Sequence, residues 1–135
     1  MSCKHMGIKI CSKRARQHDA ITERIGAGKA VLFAARGLGS AIVPVPPSVL
    51  SKIYWAAAVP KMLYGLEITP TNITDIFALE HAHRQHAKIA QGLQTNIPNP
   101  APLATLGWLT LKGYIAIQQI MFVWRTLCLP ETNVY

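Results

Sequence analysis

Residues Pro47–Ile68, PSVLSKIYWAAAVPKMLYGLEI, decide the fold. Leu50, Ile53, Tyr54, Ala57, Lys61 and Tyr64 recur at steps of three and four, which is helical spacing with Lys61 as the only charged member. Trp55, Ala56, Ala58, Val59, Met62 and Leu63 fill the other sides with apolar groups. A helix apolar nearly all round belongs in the middle of a domain, covered on several sides. Pro46 and Pro47 suit its start, where no N–H donor is needed. Pro60 is expected to kink the helix or end it near Val59, and Gly65 to stop it.

Around this helix the chain of 135 residues fits one domain. Half of it is apolar and 15% is charged. No run reaches the roughly 18 apolar residues of a membrane span; Gln118 and Gln119 break the best one. The first residues lack the apolar block of a signal peptide, so a cytoplasmic or nuclear protein is expected, not a secreted or membrane one. Cys3, Cys11 and Cys128 are odd in number and have no C-x-x-C spacing, which predicts ordinary reduced thiols. The net charge is +8, and eight of the fourteen Lys and Arg residues fall within Met1–Arg36. Such asymmetry points to a polyanionic partner, nucleic acid before a membrane surface.

Lys4–Ile10 alternates apolar and polar residues, which predicts one short, half-buried strand. A strand needs a neighbour for its backbone groups, and no second strand pattern of similar quality follows. The reading is therefore of a chain that begins part-way through a domain. A basic loop, Ser12–Gln17, leads to a helix from His18 to Ala35 with Ile21, Ile25, Leu32 and Ala35 inward. Gly26 and Gly28 weaken it by about 1 kcal/mol each, and Gly37 and Gly39 end it. After an extended connector and the central helix, Thr71 or Thr74 is expected to cap a third helix that Gly92 closes. Its inner face reads Ile73, Ile76, Phe77, His83, Ala87 and Ala90. A short turn over Ala101–Gly107 precedes a last helix, capped by Thr110, with Leu111, Tyr114, Ile115, Gln118, Met121, Phe122 and Arg125 in phase. The fold class is thus mainly α: one short N-terminal strand, then about four helices in a bundle.

Motifs for chemistry were tested against their geometry. Gly26-Ala27-Gly28-Lys29 is not a phosphate-binding loop, because Glu23 stands where the first glycine belongs and Ala30 where Ser or Thr belongs. Glu80, His81, His83 and His86 resemble a metal cluster, but on a helix His81 points about 200° away from His83. They read as a partly exposed polar face. Six acidic residues with no adjacent pair do not support two-metal catalysis, and no nucleophile stands beside a base. The expectation is a protein without enzymatic activity of its own, needing no cofactor or metal.

Four stretches carry a family likeness. Lys4-His5-Met6-Gly7-Ile8-Lys9-Ile10 resembles the strand that closes the palm, just before the thumb, in non-LTR (LINE-type) retrotransposon reverse transcriptases, with His5 and Met6 in place of the usual aromatic and leucine. Pro60-Lys61-Met62-Leu63-Tyr64-Gly65-Leu66-Glu67 is similar to the family's proline, leucine-tyrosine-glycine and glutamate element. Leu79-Glu80 through Gly92-Leu93 resembles its leucine-glutamate to glycine-leucine helix, and Leu106-Gly107-Trp108-Leu109 its leucine-glycine element before the last helix. The four come in the family's order, and the paired aspartates of the family's catalytic motif are not among them.

The resemblance implies a residual palm-edge strand over residues 1–12 and a helical, thumb-like domain over 13–135, the C-terminal part of a truncated RNA-directed DNA polymerase. Its partners would be the palm and fingers of that polymerase and an RNA–DNA hybrid or duplex gripped through phosphates. Lys13, Arg14, Arg16, Arg24, Lys29 and Arg36 are the residues available for that grip. Two alternatives stand beside it: a helical protein-interaction module, whose apolar surplus is a docking surface, and a non-functional retroelement remnant.

Overall fold

The computed structural model describes residues 2–5, 8–11, 14–39, 44–68, 71–94, 96–98 and 100–128, with side chains from His18 onward. The architecture is mainly helical. At the start, the backbone pairs β1 (Ser2–His5) antiparallel with β2 (Ile8–Cys11), Cys3 opposite Ile10. The single unpaired strand expected over Lys4–Ile10 is not what this backbone forms. The first helix, α1 (Arg14–Gly37), begins four residues before the expected start, so Arg14, Arg16 and Gln17 are helical rather than part of a loop. It still ends at the expected glycines. Ile21, Leu32 and Ala35 are buried along it, with Ile25 half-buried, as the stripe requires.

The central segment is continuous through Pro60. It comprises α2 (Pro47–Ile53), a π-helical turn (Tyr54–Ala58) and α3 (Val59–Leu63). The expected stop near Val59 does not occur, and the widened turn explains why. A proline ring collides with the carbonyl four residues back in an α-helix. Here the preceding turn opens so that Val59 N–H donates to the Tyr54 carbonyl, five residues back. Leu50, Tyr54, Ala58 and Met62 are buried at steps of four along it, a spacing that would drift round a pure α-helix. The π-helical turn and α3 pack on α1. At Gly28 the two helices approach so closely that a Cβ would lie 2.5 Å from Met62 Cγ, so glycine here sets the packing distance. Gly65, at φ 77°, turns the chain out of the segment.

In helix α4 (Ile73–Gln91) the N-cap position falls to Asn72, not to Thr71 or Thr74, without a side-chain hydrogen bond, and Gly92 closes the helix in the left-handed conformation at φ 67°. Its phase differs from the expectation. Ile73 and Phe77 are exposed, while Asp75, Leu79, Ala82, His83, His86, Ala87 and Ala90 are buried. The short α5 (Pro100–Leu106) is tied to α4 by Gln91, whose Nε2 donates to the Pro102 carbonyl at 2.8 Å and whose Oε1 accepts from Thr105 Oγ1 at 2.6 Å. In α6 (Leu111–Leu127) Thr110 caps as expected, its Oγ1 accepting from Gly113 N–H. The core runs from Ile21 and Leu32 through the central row to Leu79, Ala87, Leu103, Trp108, Leu111 and Ile115. No helix among the described residues is long and apolar enough to cross a membrane.

Candidate nucleic-acid interface

Helix α1 carries five of the six basic residues singled out in the sequence. Lys29, Phe33 and Arg36 stand at i, i+4 and i+7, so they share one face. All three are exposed, and the Lys29 ammonium lies 5.7 Å from the centroid of the Phe33 ring, a cation–π contact. The rise between Lys29 and Arg36 is about 10.5 Å. Arg24 is about 130° away round the helix and half-buried, and burial lowers its proton affinity, partly offset by the neighbouring Glu23 carboxylate. Lys13 and the side chains of Arg14 and Arg16 lie outside the described residues. The fold therefore groups Lys29 and Arg36 and sets Arg24 apart.

Behind that face sits a buried polar cluster that the sequence reading missed. Tyr54 is stacked on Trp108, centroids 4.3 Å apart and planes 3° from parallel, and on His83 at 5.6 Å. Trp108 Nε1 donates to Ser51 Oγ at 2.7 Å. His83 Nε2 lies 2.9 Å from the Leu109 carbonyl, and its Nδ1 2.7 Å from the Tyr54 hydroxyl. A carbonyl only accepts, so Nε2 carries the proton and a neutral ring leaves Nδ1 to accept from Tyr54. Burial lowers the pKa of His83 and favours that neutral form. His86, edge-on to Tyr54, is pushed down to about 4 by burial first, then by His83 and Lys29. The same burial pushes the Tyr54 hydroxyl up, so it stays a donor.

Glu80 and Asp75 complete the polar interior. Glu80 Oε1 accepts from Lys112 N–H at 2.7 Å, placing a carboxylate on the positive end of α6. Asp75, in the first turn of α4, lies 3.1 Å from His18 Nδ1 and joins α4 to α1. The polar face expected over Glu80–His86 is thus buried except at His81 and, in part, Arg84 and Gln85. The clue was available: His83 already fell in phase with Ala87 and Ala90. Among the described residues no three His, Cys, Asp or Glu side chains are placed to hold a metal ion. The cluster joins α1, the central segment, α4 and α6.

Comparison with known protein families, with curated proteins and with solved structures gives no match to this chain.

Proposed function

We propose that the chain is a thumb-like, non-catalytic module of a non-LTR reverse transcriptase that holds the backbone of an RNA–DNA hybrid or duplex through the outer face of α1. The observation that carries this reading is the exposed Lys29–Phe33–Arg36 strip on one side of a 24-residue helix. Two cations about 10.5 Å apart along one axis suit separate phosphates of the backbone rather than one base edge, and backbone contacts carry no sequence information. Phe33 offers an apolar ring between them, able to lie against sugar or an unpaired base. The four motifs and their order support the family. Their positions in the fold are compatible with it: Pro60–Glu67 ends the central segment, Leu79–Leu93 covers most of α4, and Leu106–Leu109 leads into α6.

Fluorescence anisotropy with a labelled RNA–DNA hybrid tests this. Lys29→Gln with Arg36→Gln is expected to weaken binding about tenfold at low salt. Lys52→Gln with Lys61→Gln, two exposed cations on the central segment, is expected to change it less than about threefold. Equal losses from both pairs would reduce the interaction to bulk charge and remove α1 from it.

A further inference from the structure

A cavity of about 200 Å³ opens between the end of the central segment and the start of α6, lined by Tyr64, Glu67, Tyr114 and Gln118 together with Leu63 and Ile115. Its size bounds what it takes. It exceeds the ~150 Å³ that admits one benzene ring and falls short of the ~300 Å³ where drug-sized sites begin, so one long side chain fits. Three features make the cavity attract positive charge. Glu67 is its only charged lining residue. The C-terminal end of the central segment, where a helix dipole is negative, forms one wall. Tyr64 and Tyr114 bring two phenol rings, whose faces attract cations. The positive end of α6, which would oppose these, is already matched by the Glu80 carboxylate at 2.7 Å from the Lys112 nitrogen.

The rest of the molecule sets this carboxylate apart. The chain has six acidic residues against a net charge of +8. Asp75 and Glu80 are buried in the polar interior, and Asp19 and Glu23 stand on α1. Among the described residues no cation pairs with Glu67, and no Lys, Arg or His lines the cavity. A hard metal ion takes six or so oxygen ligands, which one carboxylate among leucine, isoleucine and tyrosine side chains does not supply. An ammonium is a compact, strongly hydrated charge, whereas a guanidinium is flat, weakly hydrated, stacks on aromatic rings and forks onto a carboxylate. We propose that this cavity takes the side chain of an arginine presented by a partner protein. The Glu67 carboxylate and the Gln118 amide oxygen accept from the guanidinium N–H groups, the two tyrosines lie against its plane, and Leu63 and Ile115 cover its alkyl stem.

The probe is a capped glycine-arginine-glycine tripeptide, and the control is its citrulline twin, which has the same shape without the charge. Binding to the isotope-labelled full chain is followed by amide NMR shifts at about 0.15 M salt. The arginine peptide is expected to bind at least about fivefold more tightly than the citrulline peptide and to move the amides of residues 64–67 and 114–118. Glu67→Gln is expected to weaken binding about fivefold and Tyr64→Leu about threefold, whereas Asp19→Asn on α1 should leave it within about twofold. Glu67 and Tyr64 are exposed, so the circular dichroism spectrum should stay unchanged in both variants. Equal binding of the two peptides, shifts centred elsewhere, or indifference to Glu67→Gln would overturn the proposal. So would free arginine binding more tightly than the tripeptide, which would give the cavity to a small molecule. Sedimentation of the chain as a dimer that Glu67→Gln dissolves would overturn it in favour of a cation from a second copy.

Discussion

Tyr54 and His83 show how much of the core depends on one proton. With Nε2 donating to Leu109, His83 Nδ1 is satisfied only by the Tyr54 hydroxyl. Tyr54→Phe keeps the stack on Trp108 but leaves a buried acceptor without a partner, so it should cost about 1–3 kcal/mol in urea unfolding. Acid should weaken the same region. His86 is held near 4 in the folded chain against an ordinary 6.5, and His83 is lowered as well. A depressed histidine is neutral when folded, and the unfolded chain takes up the proton first. Stability is then full above about pH 6.5 and falls as pH drops toward 4, by about 3 kcal/mol for His86 alone. His86→Met should flatten that acid limb in stability measured against pH, since His86 Nδ1 has no hydrogen-bond partner to lose. The glycines of α1 give a contrasting pair. Gly26 has open space around it and Gly28 faces Met62. Gly26→Ala should stabilise by about 1 kcal/mol, whereas Gly28→Ala should destabilise by about 1–3 kcal/mol through overpacking, both read by chemical denaturation.

At the scale of elements, α6 is fixed at its start by two acceptors, Thr110 Oγ1 and the Glu80 carboxylate. Thr110→Ala should cost about 1 kcal/mol. Glu80→Ala should cost more, about 1–3 kcal/mol, because it removes a part-buried, charge-assisted hydrogen bond to the Lys112 N–H; the loss would be read as helical circular dichroism against urea. Helix positions were legible where punctuation is chemical: Gly37, Gly92 and Thr110 all mark real ends. Phase was less so. Ile73 and Phe77 look inward by hydropathy yet face out, while Asp75, Glu80 and His86 turn in because each meets a neighbouring element. Hydropathy ranks side chains by transfer cost and is blind to a partner that offsets it. Pro60 misled for a related reason, since proline forbids an α turn but tolerates the wider one that precedes it.

For the whole molecule, the composition alone told of a helical domain with a basic N-terminal third and more apolar surface than its core needs. It did not tell which cations share a face. That follows from α1 starting at Arg14, and from the half-burial of Arg24 that Glu23 accompanies. The apolar surplus lies along α6 and at Ile73 and Phe77 of α4, with Leu38, Ile68 and Leu109 exposed elsewhere. The proposed grip on nucleic acid rests chiefly on charge, so it has a charge signature. Contacts with about four phosphates give a slope near −3.6 in a plot of log affinity against log salt. The direct measurement is that slope for an RNA–DNA hybrid, taken for the native chain and for the Lys29→Gln, Arg36→Gln variant. A slope near −3.6 that shrinks by about 2 in the variant is the expected result; a slope near zero, or one the variant leaves unchanged, would contradict it.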